Sequence, residues 1–127
     1  MLKDRNSSAI VAVSDIDRAR AFYEDTLGLT RVPGGEQNDV LEFRTGDTRL
    51  TVYKSDFAGT NKANAVTWEM KGDLVDTVND LRGKGVTFEQ YDMPGLTYRD
   101  GIHEAGEARL VWFKDPDGNI LHLLEGM

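Results

Sequence analysis

The chain contains no cysteine, so disulfides, thiolate metal sites and cysteine nucleophiles are excluded, and cysteine usage leaves the redox compartment undetermined. Histidine is nearly as scarce: imidazole chemistry has only His103 and His122 to draw on. Nowhere do roughly 18 apolar residues run together, the length that a membrane-crossing helix needs. The opening MLKDRNSSAIVAV has a basic residue but no long apolar stretch of the kind a secretory leader carries. A cytoplasmic protein without a membrane partner is the expectation. Positive charge is in deficit too, with 15 Lys and Arg against 22 Asp and Glu and a formal net charge of -7. That balance argues against a phosphate-backbone partner, so nucleic acid is not expected.

Several cofactor and nucleophile signatures are missing as well. There is no Gly-x-Gly-x-x-Gly, Walker loop or His-Glu-x-x-His, and no serine in a recognisable nucleophile setting. The expectation is no cofactor and no covalent catalysis. The segment DPDGN, with Asp115, Asp117 and Asn119, superficially suggests a calcium loop. It lacks the twelfth-position glutamate and has proline second, so it reads as a tight turn.

What the chain does contain is one plan written twice. DIDRARAFYEDTLGLT at 15–30 and DLVDTVNDLRGKGVTF at 73–88 share a layout, and each is followed by short strand-like runs. In the first copy, Ala9 to Val13 reads as a strand, with Ser14 or Asp15 capping a helix whose Ile16, Ala19, Tyr23 and Leu27 recur at helical spacing. Gly28 closes that helix and Leu29 folds back on its last turn. A further strand is expected at Thr30 to Pro33, then a flexible PGGEQND segment, then a hairpin of Val40–Arg44 and Arg49–Tyr53 around TGDT. In the second copy the strands are Ala65–Met70, Val86–Gln90, Arg109–Phe113 and Ile120–Leu124, and Asp73 caps a helix carrying Leu74, Val78 and Leu81. At 127 residues the copies form one domain with a shared core. One stretch, Tyr91–Ala108, has no counterpart and makes the second copy about 14 residues longer. Its apolar Tyr91, Met93, Leu96, Tyr98 and Ile102 favour a lid packed over the site or against a partner chain.

This organisation, with VSDIDRARAFYEDTLGL and VWFKDPDGNILHLLE, resembles the vicinal oxygen chelate superfamily, the glyoxalase, bleomycin-resistance and extradiol-dioxygenase group. The resemblance implies an α+β fold of two βαβββ modules, about 7–54 and 64–125, whose mixed sheets curl around a shared cleft, and usually a homodimer. In enzymes of that group, inward side chains from the first and last strands of each module bind one divalent metal. Carried onto this chain, those positions fall on Ser8, Thr51, Ala65 (or Val66 with a one-residue shift) and His122. Only His122 is a strong ligand, so the expectation is no metal of the usual kind. An improvised site from His103, His122 and Glu69 is the remaining alternative.

Each candidate has two readings. His122 shares a face with Ile120 and Leu124; it is either a core histidine with one polar partner or a ligand contact and proton carrier. Thr67 and Glu69 face the cleft if Val66 and Trp68 face the helices, and Glu69 is then an acid–base candidate or an edge charge. One of Trp112 and Phe113 belongs to the core and the other lines the pocket. Ser8, Thr51, Thr67, Glu69, Tyr98, His103, Trp112 and His122 are the expected ligand-binding set, with His122 and Glu69 the catalytic candidates. The functional expectation is a metal-free small-molecule binder of the antibiotic-sequestration or substrate-carrier kind, or alternatively a lyase- or isomerase-like enzyme.

Overall fold

In the computed structural model, which describes residues 1–34 and 38–126, the first unit spans Met1–Asn61 and the second Lys62–Met127. After a single 3-10 turn at Leu2–Asp4, the first continues with β1 (Ala9–Val13) and α1 (Ile16–Arg20). Asp15 rather than Ser14 caps α1, its carboxylate accepting the Arg18 amide at 3.0 Å. The helical path then widens into a π-helical stretch, Ala21–Thr26, where Leu27 N–H reaches back to Phe22 O at 2.9 Å. Gly28 follows at φ +73°, and Leu29 N–H bonds to Tyr23 O, which turns the chain into β2 (Thr30–Val32), β3 (Val40–Thr45) and β4 (Thr48–Lys54). The sheet order is β1-β4-β3-β2, with β1 parallel to β4 and the other pairs antiparallel. Val11, Val13, Leu41, Phe43, Leu50 and Val52 are buried on one face, and Tyr23 lies 5.9 Å from Phe43, ring to ring. The PGGEQND expectation falls partly on residues 35–37, outside the described residues.

The second unit repeats the plan with β5 (Asn64–Met70), α2 (Leu74–Gly83), β6 (Thr97–Arg99), β7 (Ile102–Ala105), β8 (Ala108–Lys114) and β9 (Ile120–Glu125). Its order is β5-β9-β8-β7-β6, again with one parallel edge pair, β5 and β9. Leu74, Val78 and Leu81 are buried on α2, as are Val111, Phe113, Leu121 and Leu123 of the sheet. Among the described residues, no helix is long and apolar enough to cross a membrane.

The sequence reading needs four corrections. The expected curling is not found: neither sheet is closed or strongly curled. Their end strands, β1 and β2 in one and β5 and β6 in the other, are not paired to each other, which closure would require. Side-chain alternation predicts strands and faces but carries no information on curvature. Second, Val86–Gln90 is not a full strand; it touches β8 only through a Phe88–Phe113 bridge and a 2.8 Å bond from Glu89 N–H to Trp112 O. Third, the rest of that β8 edge is taken by the supposed lid, which folds as the β6–β7 hairpin and lengthens the sheet. Finally, Asp73 does not cap α2 by its side chain, which accepts the Lys71 amide instead. Glu125 of β9 fills that role, accepting Gly72 N–H at 2.7 Å and Leu74 N–H at 3.1 Å.

Candidate functional site

His122 is aimed by the turn before it. Asp115, buried, accepts the Asp117 and Asn119 amides at 3.0 and 2.8 Å and the Asn119 side-chain amide at 2.8 Å, while Gly118 adopts φ +88°. This fixes where β9 starts. Alternation then sends Leu121 and Leu123 to the core and His122 to the opposite face, in register with Thr67 on β5 and Trp112 on β8. His122 Nδ1 lies 2.9 Å from Val111 O. A carbonyl only accepts, so the hydrogen is on Nδ1 and the lone pair on Nε2. Burial lowers the pKa of His122 below its usual value, against the smaller opposing effect of the Val111 hydrogen bond. At neutral pH the ring is therefore neutral, with Nε2 able to take a proton.

A cluster of rings continues from His122 across the sheet. Trp112 stacks on His122 at 4.7 Å with planes 18° apart. His103, on β7, meets Trp112 edge-on at 4.9 Å, Tyr98 of β6 at 5.0 Å and Tyr91 at 6.4 Å. Tyr91 also stands edge-on to Trp112 at 5.4 Å. His103 is 0 % exposed and accepts the Tyr91 amide hydrogen on Nε2 at 3.0 Å. That assigns the hydrogen to Nδ1, which is buried and has no partner among the described residues. An unpaired buried donor costs about 1–3 kcal/mol.

The structure brings together only part of the expected ligand-binding set. Thr67, Tyr98, His103, Trp112 and His122 lie on one face of the second sheet. Glu69 is exposed on the edge strand β5, in register with Leu124 rather than His122. Ser8 is exposed ahead of β1, and Thr51 is half-buried on β4 beside Ile10 and Glu42 in the first unit. His103 does not swing beside His122, because Trp112 touches both rings. Tyr91 was read only for its apolar weight, yet its backbone amide fixes the His103 tautomer. No side-chain pattern announces such a bond. The Lys114–Glu89 ion pair at 3.1 Å, on the edge of the same unit, also had no sequence signal; Glu89 raises the pKa of the exposed Lys114.

The positions that the resemblance assigns to a divalent ion carry Ser8 and Thr51 in the first unit and Ala65 (or Val66) and His122 in the second, with Ala65 at an irregularity in the β5–β9 register. Among the described residues no group of three or more His, Asp or Glu converges. A methyl group and two hydroxyls do not replace imidazole or carboxylate, so this donor set does not fit a Lewis-acid ion.

Residues 7–123 match the model of the family described as Glyoxalase/Bleomycin resistance protein/Dioxygenase superfamily. A curated relative, Virulence protein STM3117 of Salmonella typhimurium, is 25% identical over 130 residues, covering 97% of this chain and 85% of that protein. Among solved structures, lactoylglutathione lyase from Agrobacterium tumefaciens is similar with a TM-score of 0.72 at 17% identity, covering 97% of this chain and 93% of that one. The fosfomycin resistance protein FosX from Listeria monocytogenes has a TM-score of 0.75 at 15% identity, covering 98% and 92%. A mutant of that FosX was crystallised with Mn(II) and 1S,2S-dihydroxypropylphosphonic acid; it has a TM-score of 0.73 at 15% identity, covering 98% and 91%. At these identities the structural likeness speaks for the fold alone.

Proposed function

The chain belongs to the glyoxalase/bleomycin resistance protein/dioxygenase superfamily, and from that premise we propose that it is a lyase- or isomerase-like enzyme in which His122 moves a proton on a small molecule. The observation that carries this reading is the locked tautomer of His122: Nδ1–H donates to Val111 O, and the desolvated ring presents Nε2 as a base at neutral pH. The reaction class that suits one such base is proton abstraction from a carbon next to a carbonyl. Nε2 takes the proton, the C–H electron pair moves into the carbon–carbon bond, and the carbonyl π electrons go to oxygen. Thr67, in register with His122, has the hydroxyl to donate to that oxygen. For an isomerisation the hydroxyl proton of the attacked carbon passes to the new oxyanion, the imidazolium delivers its proton to the former carbonyl carbon, and the attacked carbon becomes the carbonyl. For a lyase step the oxyanion re-forms the carbonyl and the enolate electron pair makes a carbon–carbon double bond as a leaving group departs from the β-carbon with its own pair. Glu69, farther along the same face of β5, is the second acid–base candidate.

No step here passes through a metal, because the donor set does not fit one. The same mismatch favours a second reading, a binder of the antibiotic-sequestration or carrier kind that uses this face without turnover. Deuterium exchange separates the two. Under the enzyme reading, α-hydroxy ketones and hemithioacetals screened in D2O exchange their α-hydrogen with wild type and not with His122→Gln. Binding without exchange in both proteins would leave the carrier reading, and a stoichiometric divalent ion in purified protein would refute both.

A further inference from the structure

We propose that Glu69 is the charge-recognition residue of the His122 face, so that the small molecule handled there carries a cationic group such as an ammonium. Which end of that molecule meets His122 rests on the proton-transfer reading above; the preference for a cation does not. The first observation is placement. Thr67 is in register with His122 and Glu69 with Leu124, while Val66 and Trp68 pair with the core residues Leu121 and Leu123. Alternation therefore puts Glu69 on the face of His122, one side chain beyond Thr67. Two residues along the strand and one step across it set its Cα about 8 Å from that of His122. Glu69 is exposed, so a ligand reaches its carboxylate without any rearrangement.

The second observation is pairing. Glu104 of β7, Glu125 of β9 and Glu89 beside β8 lie 4.0, 3.6 and 3.1 Å from Arg99, Arg109 and Lys114. Glu69 has no such partner among the described residues. Opposite charges on neighbouring strands are the ordinary way to offset a sheet carboxylate. Here the cross-strand position is taken by apolar Leu124, and the charge stays available.

The third is the rest of the face. Among the described strand positions that share it, the one lysine or arginine is Lys114, which Glu89 already holds. The face thus offers a neutral base, a hydroxyl and a negative charge, with no free cation. A phosphate or carboxylate on the ligand would meet Glu69 with nothing to offset the repulsion, whereas an ammonium gains an ion pair. Side chains stand roughly perpendicular to a sheet, so the cation and the carbon facing His122 lie about four to six bonds apart in an extended ligand.

The probes are hydroxymethyl ketones whose trimethylene chain ends in trimethylammonium, tert-butyl or carboxylate. The first two differ only in charge, and a quaternary nitrogen does not condense with the ketone. In calorimetry of the whole protein at low salt, the trimethylammonium compound is expected to bind about two- to five-fold more tightly than the tert-butyl compound, the scale of an exposed ion pair. The carboxylate should bind more weakly than either, and added salt should shrink the differences. Glu69→Gln is expected to abolish the preference and Glu69→Lys to reverse it, with unchanged melting curves showing that the fold survives. Binding needs no turnover, so the same order is expected in His122→Gln. A protein that binds in this order but never exchanges the α-hydrogen loses the proton-transfer reading and keeps this one. Equal affinity for the three compounds, no binding of the trimethylammonium compound, or a preference that survives in folded Glu69→Gln would each overturn the proposal. So would an unchanged order with exchange slowed alike for all three, which would make Glu69 an acid or base instead of an anchor.

Discussion

Trp112 lies face to face with His122, ring centres 4.7 Å apart and planes 18° from parallel. The indole thus screens one side of the imidazole from water, and burial is the main cause of the lowered His122 pKa. Replacing Trp112 with Leu keeps the site apolar but opens that face. The His122 pKa is then expected to rise toward its unperturbed value of about 6.5. An NMR titration of the His122 ring protons checks this; no change in Trp112→Leu would mean that the strands alone desolvate the ring.

The same shift predicts how stability depends on pH. A histidine whose folded pKa lies below its unfolded one is protonated more readily in the unfolded chain. Stability is therefore constant above about pH 6.5 and falls on acidification through the window down to the lowered folded value. The Val111 bond uses Nδ1–H, which both protonation states possess, so the loss comes from charging a buried ring rather than from breaking that bond. In denaturant melts from about pH 8 to about pH 5, His122→Gln should show a shallower acid-side slope than wild type. Parallel curves would contradict the desolvation argument.

Much of this arrangement was readable in advance because one face of each strand is buried. The alternation of ILHLL places His122 opposite Leu121 and Leu123, and the structure has it so. The Thr30 strand, the Gly28 helix end and the TGDT hairpin also appear where patterning puts them. The Tyr91–Ala108 segment was missed although its signal was local: Asp100 and Gly101 both take positive φ, 52° and 89°, between the paired Arg99 and Ile102. An Asp-Gly pair in this setting is the sequence mark of a tight two-residue hairpin. The hydrogen bond that fixes His103 was not readable, since it joins a side chain to a backbone amide 12 residues away. Sheet curvature was beyond reach for the same kind of reason: it depends on pairings between distant strands.

Glu125 ties the last strand to the start of α2. Its Oε1 accepts two amide hydrogens at the helix N-terminus, from Gly72 and Leu74, and its Oε2 lies 3.6 Å from Arg109 Nη1. This is an N-cap supplied from 53 and 51 residues away, and caps contribute about 0.5–2 kcal/mol. Glu125→Ala should lower unfolding free energy by about 1–2 kcal/mol. Glu125→Gln retains an oxygen acceptor and should lose less than half of that. Equal losses in urea melts would assign the effect to charge, and no loss in either would show that water satisfies those amides.

Gly101 tests whether the hairpin governs the aromatic face. Its φ of +89° disfavours any side chain, and a methyl group there would stand 3.0 Å from Phe88 Cβ and 3.1 Å from Arg82 Nη2. Gly101→Ala must either strain the turn or push Phe88 and Arg82 aside, at about 1–3 kcal/mol. Because β6 and β7 carry Tyr98 and His103, loosening the turn should loosen the rings packed on Trp112. The expected readout is red-shifted, more easily quenched tryptophan emission together with faster amide exchange at Tyr91, whose hydrogen is held by His103. Trp68 emits as well, so the comparison is made in a Trp68→Phe background. Lower global stability with unchanged Trp112 emission and Tyr91 protection would mean that the ring cluster holds together without its turn, and that Tyr98 is fixed by Trp112 and His103 rather than by the strand that carries it.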